Sequence, residues 1–360
     1  MTATDFESVV RAANEQMGVN RRNRNVGECP PGGPRFELYH SAPSLCSHKV
    51  RTVLAEKGIP YRSHDMNIMP HGKAIPENYR PTYVRMRLLG ADEQGFATGY
   101  TGQSSVTTEG LDPCVVPTLV DHEAQRVIVD SSRICYYLDR EAATGEKLVP
   151  EHLADEITAQ IDLIDQAPHV AILYGANPEG DRRPSGLAMH IKDIQHEKIR
   201  TLKQMMAAIE SDDPIMAAYE SKISKESGSH SFVNDPGRMR KAYAEMSAHA
   251  DALETQLEKS GGPWAFGERY TMADIMWTVS LYRLKWLGLG ETWESGHQRQ
   301  RVAEYAERAF ERPSFKFAVL NWPFAYTPSP HVKEWDSLGA KLRFVGTMLS
   351  RRNWIEYHFG

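Results

Sequence analysis

Between Arg35 and Gly58 the spacing of apolar positions changes period. Phe36, Leu38 and His40 alternate with Glu37 and Tyr39, which predicts a short strand. Ser41-Ala42-Pro43-Ser44 supplies turn residues. Val50, Val53 and Leu54 then fall at helical spacing, and Gly58 is a helix stop. Pro60 to Asn67 predicts a second strand, and Glu77 to Leu89 a short helix restarted at Pro81. Gly90 to Pro113 is rich in Gly, Ser and Thr and has no apolar period, so it is expected as a long surface loop of the kind that forms lids. Val116–Val120 and Arg126–Val129 predict two strands joined through residues 121–125. Asp130, Ser131 and Ser132 offer caps to a helix through Ile134, Cys135, Tyr137 and Leu138.

Beyond about residue 150 alternation ends and helical spacing takes over. Helices are predicted over 153–174, 187–223 with a break near Pro214, 236–258, 275–287 and 302–310, with a short one from Pro313. Thr271 and Asp274 have capping-box spacing ahead of the fourth. At the other end, Asp5 to Met17 fits one short amphipathic helix, followed by a polar arm with a Pro/Gly linker. The expected division is a flexible extension at 1–34, an α/β unit at 35–145, an all-helical unit at 150–325 and a tail at 326–360, helix-like from Val332 to Met348.

A chain of 360 residues is too long for one ordinary core, which agrees with two units. Hydrophobic residues make up 41% and charged ones 25%, a globular composition. The formal net charge is -5 with no dense basic block, which argues against a nucleic-acid partner. No apolar run approaches a membrane span, and Asp5 and Glu7 stand where an export signal would be apolar. Cys29, Cys46, Cys114 and Cys135 make no CxxC pair and no metal spacing with the histidines. A reduced, cytoplasmic protein without a metal is expected.

Three places could carry chemistry. Cys46 falls at the start of a helix, where unpaired N–H groups and the helix dipole favour a thiolate; His48, Lys49 and Arg51 would add to this if their side chains reach it. The alternative is a small buried residue. Val116-Pro117 opens a strand, and a cis bond there would present the Val116 backbone to a ligand, whereas a trans one would be an ordinary strand edge. Asp130-Ser131 at a helix start would suit a ligand with both an α-carboxylate and an α-amine, or is plain capping. Cys114 could approach Cys46 to form a disulfide only with compatible Cα geometry. Cys135 reads as helix core, and His190 and His196 share no helix face.

The order of these features, with VVPTLV at 115–120, DSS at 130–132 and GERYTMADI at 267–275, resembles the glutathione transferase superfamily over about residues 35–320. That resemblance implies a thioredoxin-like N-terminal domain and an all-α C-terminal one. Within the superfamily the chain resembles the glutathione-dependent reductive dehalogenases of chlorinated hydroquinones. RFELYH, LCSHKVR, ENYRPTYVRMRL, TGQSSV, VVPTLVDHE, PHVAILYGANPEGDRRP and ADIMWTVSLYR carry the likeness, and the N-terminal arm, 90–98 and the tail depart from it. The resemblance implies that glutathione is the co-substrate and a chlorinated hydroquinone the substrate, with no flavin, and it leaves room for a homodimer. It further implies that a glutathione thiolate displaces chloride and Cys46 then attacks the sulfur of the adduct. A second glutathione reduces the resulting mixed disulfide. Ser47 would donate to a thiolate, Val116 and Pro117 would meet the cysteinyl backbone, and Asp130 and Ser131 the γ-glutamyl end. His169, Tyr174, Arg182, Arg183 and Trp277 are candidates for the aromatic substrate, or else structural residues. Two other functions stay open: a glutathione-dependent isomerase, etherase or conjugating transferase, and a non-catalytic binding module of the same fold.

Overall fold

The structure, a computed structural model, describes residues 3–17, 23–70, 75–91, 95–103, 106–143, 145–210, 213–294 and 297–322. The tail expected beyond residue 326 and its helix lie outside them.

Five strands form one mixed sheet in the order β1-β3-β2-β4-β5: β1 (Arg24–Val26), β2 (Phe36–His40), β3 (Tyr61–Asp65), β4 (Thr118–Asp121) and β5 (Arg126–Val129). β2 and β3 run parallel, with Phe36 opposite Tyr61, and the other pairs are antiparallel. A parallel pair needs a crossover, and α2 (Leu45–Glu56) supplies it. α2 packs on α5 (Ser131–Glu141), burying Val50, Val53 and Leu54 with Ile134 and Leu138.

The N-terminal stretch forms the helix expected over Asp5 to Met17, but it is packed rather than a flexible extension. α1 (Ala3–Met17) places Phe6, Val10, Ala13 and Met17 on one face, all buried, in a cluster with Tyr83 and Met86 of α3 (Pro81–Leu88) and with Val120 and Val127 of the sheet. Each large apolar side chain so buried is worth roughly 1.5–3 kcal/mol. The polar arm also yields a strand: Arg24–Val26 pairs with Ser63–Tyr61, and Val26 is buried. Three mostly polar residues make a weak strand signal, so this pairing depends on the β3 edge rather than on local preference.

The expected surface loop carries local structure as well. It contains α4 (Val106–Glu109) and a bridge between Phe96 and Leu111. It is anchored to α10 (Ile215–Val233), because Ser221 donates to the Ala97 carbonyl at 2.6 Å and Ser224 to that of Thr98 at 2.7 Å. Lys222 reaches Asp112 at 2.7 Å beneath it.

The remainder is helical. The run expected over 153–174 is two helices, α6 (Ala154–Asp165) and α7 (His169–Tyr174), separated at Pro168, which has no N–H to continue a helix. α8 (Ser185–Ile191) and α9 (Ile194–Met206) precede α10. Then come α11 (Pro236–Ser260), α12 (Met272–Trp286), α13 (Glu291–Glu294), α14 (Gln300–Phe310) and α15 (Pro313–Phe315), which runs into one wider turn at Lys316–Leu320. α12 is central and buried along almost its whole length, packing on α2, α6 and α14. Its N-terminus carries the expected capping box: the Asp274 carboxylate accepts from the Thr271 N–H at 2.8 Å, the Ala265 N–H at 2.8 Å and the Tyr305 hydroxyl at 3.0 Å.

Candidate active site

Cys46 lies in the first turn of α2, half-buried. The helix is capped by Ser44, whose hydroxyl accepts from the Ser47 N–H at 3.3 Å. The turn ahead of it, Ser41 to Pro43, is held at almost every backbone group. Ala42 N–H donates to Asp65 at 2.8 Å; the Ala42 carbonyl accepts from Arg51 Nη2 at 3.0 Å and from His48 Nε2 at 2.9 Å. The Ser41 carbonyl accepts from Arg51 Nη1 at 3.2 Å, and that of Pro43 accepts from Arg283 Nη2 of α12 at 2.5 Å. His48 and Arg51 therefore both serve the turn. Burial, with the Arg51 charge next, pushes the His48 pKa well down and keeps that ring neutral. Ser47 differs from expectation. Its side chain is fully buried and its oxygen accepts from the Ser41 N–H at 3.2 Å, so it braces the turn from inside.

Lys49, three residues after Cys46 on α2, shares its face. Its ammonium is buried and meets Asp165 at 2.5 Å, at the end of α6. Burial lowers the Lys49 pKa, but the charges of Asp165 and Cys46 outweigh it and the result is a raised value. Asp165 also accepts from the Ser132 hydroxyl of α5, so one carboxylate joins three helices.

Asp130 caps α5, accepting from Ser132 N–H at 3.1 Å and Arg133 N–H at 3.2 Å. Its φ is +76°, a region L residues enter at a cost and that Asp tolerates better than most. Burial, then the Asp165 charge, raises its pKa. Ser131 follows at the first helical position, buried. The Val116-Pro117 bond is cis. Val116 precedes the residues of β4 that pair with β2, so its backbone lies outside the ladder. Tyr83 and Arg87 fix this segment from behind, at 2.7 Å from the carbonyls of Val115 and Pro117 respectively. Asn78 donates to the Cys114 carbonyl at 2.7 Å, and the Cys114 thiol is free and buried beside Tyr79, Val84 and Leu202. Burial and then Asp112 push its pKa far up, so it stays protonated.

The substrate candidates separate. His169 starts α7, buried; its Nε2 lies 3.0 Å from the Ser280 hydroxyl, and its Nδ1 has no hydrogen-bond partner among the described residues. Burial, then the Lys49 charge, holds the ring neutral. Tyr174 is half-buried and its hydroxyl accepts from Lys198 at 3.1 Å. Trp277 differs from expectation: it is 2% exposed, with its indole N–H on Gln160 at 2.9 Å, a core residue between α6 and α12. Arg182 is exposed in a turn and pairs with Glu291, and Arg183 folds back on Asp181. Among the described residues no group of three or more His, Cys, Asp or Glu could hold a metal.

Models of the glutathione S-transferase N-terminal and C-terminal domains match residues 43–141 and 234–308. The chain is 43% identical over 301 residues to a 2,5-dichlorohydroquinone reductive dechlorinase from Sphingobium indicum, covering 83% of this chain and 86% of that protein. This chain belongs to the glutathione transferase superfamily. This glutathione transferase is also 27% identical to a tetrachloro-p-hydroquinone reductive dehalogenase from Sphingobium chlorophenolicum, covering 80% of this chain and 98% of the relative. A β-etherase structure from Sphingobium sp. strain SYK-6 shares the fold, with a TM-score of 0.52 at 15% identity over 79% of this chain and 98% of that one. The thioredoxin-like sheet followed by helices expected from sequence is therefore the fold of this transferase.

Several residues at the site escaped sequence reasoning. Lys49 was legible from helix spacing, but its partner Asp165 lies 116 positions away. Asp65 at the end of β3 and Arg283 in the last turn of α12 gave no local sign of reaching the turn.

Proposed function

We propose that this glutathione transferase is an enzyme that reductively dechlorinates chlorinated hydroquinones at the expense of two glutathiones. The observation that carries this is the 43% identity, over most of both chains, to a 2,5-dichlorohydroquinone reductive dechlorinase. Cys46 in the first turn of α2 supplies the thiol such a reaction requires. A glutathione thiolate adds to the keto tautomer of the ring and chloride leaves. The Cys46 thiolate attacks the adduct sulfur; the carbon–sulfur bond breaks and its electron pair stays with the ring, which takes a proton. The second glutathione thiolate then reduces the Cys46 mixed disulfide, giving oxidised glutathione and free Cys46. Ring reduction and thiol oxidation balance at two electrons.

Asp130 is assigned to the α-ammonium of glutathione and Ser131 to its α-carboxylate; the strained backbone at Asp130 and the position of Ser131 at the helix start support this pair. The Val116 backbone, with Pro117, is assigned to the cysteinyl part. Of the substrate candidates, His169 and Tyr174 are retained, since one has an unused ring nitrogen and the other a hydroxyl polarised by Lys198. Ser47 is reassigned to bracing the turn. The domain division is taken at about 145–150, and a reducing, cytoplasmic setting accords with four free cysteines.

Anaerobic incubation with 2,5-dichlorohydroquinone and excess glutathione should release one chloride and one oxidised glutathione per ring reduced. Chloride without oxidised glutathione would mean conjugation instead. Cys46→Ser should still form the glutathionyl adduct yet fail to turn it over; unchanged steady turnover would remove Cys46 from the mechanism.

A further inference from the structure

The turn that carries Cys46 is secured from a part of the chain outside both family-matched segments. Trp322 lies 14 positions beyond the C-terminal match and is buried. Its indole N–H donates to Asp65 Oδ2 at 3.2 Å, while Asp65 Oδ1 accepts from Ala42 N–H at 2.8 Å. The carboxylate thus connects Trp322 directly to the turn. The same indole ring packs on Arg51, with the guanidinium carbon 4.5 Å from the ring centre. Arg51 is the residue that donates to the Ser41 and Ala42 carbonyls, and its Nε is fixed by the Ala318 carbonyl at 2.9 Å. Arg24, ahead of the N-terminal match, covers the indole at 4.4 Å. His40 completes the nest, edge-on to Trp322 at 5.3 Å and 3.0 Å from Arg51 Nη1.

We propose that Trp322 is a positioning residue for the Cys46 thiol, acting through Asp65 and Arg51 on the Ser41–Pro43 turn. The role of Cys46 in this rests on the function proposed above. The physical ground is the difference between a packed ring and a directed donor. The cation–π contacts hold Arg51 in place, whereas the indole N–H holds the orientation of Asp65, on which the Ala42 N–H depends. A displacement of about 1 Å of a nucleophile costs up to about a hundredfold in rate.

Trp322→Phe keeps a ring and removes the donor; Trp322→Ala removes both. Val302→Ala, a core truncation in α14, is the control for a loss of thermal stability that does not touch the turn. Backbone hydrogen exchange of the peptide spanning residues 41–47 should speed up at least about fivefold in Trp322→Phe and stay at the wild-type rate in Val302→Ala. The kcat for dechlorination, measured well below melting, should fall about tenfold in Trp322→Phe and further in Trp322→Ala. An unchanged exchange rate in both Trp322 variants overturns the proposal. So does equal kcat loss in Val302→Ala, which would make the effect one of stability alone. If the wild-type protein dechlorinates no hydroquinone, the proposed function fails and iodoacetamide labelling of Cys46, ratioed to Cys29, takes the place of kcat. At least a threefold change in that ratio in Trp322→Phe then upholds the positioning role, and an unchanged ratio removes it.

Discussion

The ion pair between Lys49 and Asp165 gives a sharp test of how the α2 face carrying Cys46 is held to the helical unit. The two partners are unequally buried: the Lys49 side chain is 3% exposed and that of Asp165 is 19%. Lys49→Met leaves a carboxylate that water partly reaches and to which the Ser132 hydroxyl still donates. Asp165→Asn leaves a buried ammonium facing a neutral amide. Breaking a fully buried pair costs about 3–5 kcal/mol. With partial exposure discounted, Lys49→Met should cost about 2 kcal/mol and Asp165→Asn about 3 kcal/mol. For a chain of this size each kcal/mol lowers the melting temperature by about 2 °C, giving drops of about 4 and about 6 °C. The double variant should lose less than the sum, because neither charge is then left alone. Thermal melts of the four proteins decide it. A larger loss for Lys49→Met than for Asp165→Asn, or a strictly additive pair, would refute the assignment of the burden to the buried ammonium.

Three further outcomes follow from other sites. The Glu37 carboxyl is held far below its ordinary range: burial raises its pKa, but hydrogen bonds from His122 and His64 prevail. A depressed folded pKa gives stability that is present above the unfolded value of 4.5 and is lost as pH falls through the folded one. Melting temperature should therefore fall more steeply below that pH in wild type than in Glu37→Gln, and parallel curves would contradict it. Asp274→Ala strips the α12 cap and leaves the buried N–H groups of Ala265 and Thr271 without their acceptor, at a cost of about 3–5 kcal/mol, read as poor soluble yield or a melting drop of about 6–10 °C. Gly228→Ala would put a Cβ 2.9 Å from the backbone nitrogen of Tyr100, so limited proteolysis should cut residues 95–103 several-fold faster; unchanged cleavage would show that α10 does not fasten that loop.

What the sequence made legible was whatever depends on near neighbours in the chain. The strand at Phe36–His40, the helix ending ahead of Gly58, Cys46 at its start and the Thr271–Asp274 box all follow from spacing and capping chemistry. The two-unit fold followed from the switch of period near residue 150 and from motif order. What stayed hidden depends on partners far along the chain. β1 is a strand only because β3 offers an open edge, and the 95–103 stretch is docked because α10 presents Ser221, Ser224 and a bare Gly228 to it. Ser47 looks like a catalytic neighbour of Cys46 in one dimension, but one helical position turns it 100° from Cys46 and into the interior. Arg182 and Trp277 have chemistry that suits a phenolate, yet one is spent on Glu291 at the surface and the other on Gln160 in the core.

The three-residue strand β1 has a consequence for how copies of this protein meet. Without it, β3 would end the sheet with an unpaired row of amides and carbonyls along Tyr61–Ser63, a template on which another copy could dock edge to edge. Arg24–Val26 occupies that row and replaces it with a three-residue edge that carries Arg24 and Asn25, both exposed, and is closed off by Gly27 at a φ of +80°. The N-terminal segment thus covers the β3 edge, and a chain trimmed to begin at residue 35 should gain a concentration-dependent tendency to aggregate even where its fold survives.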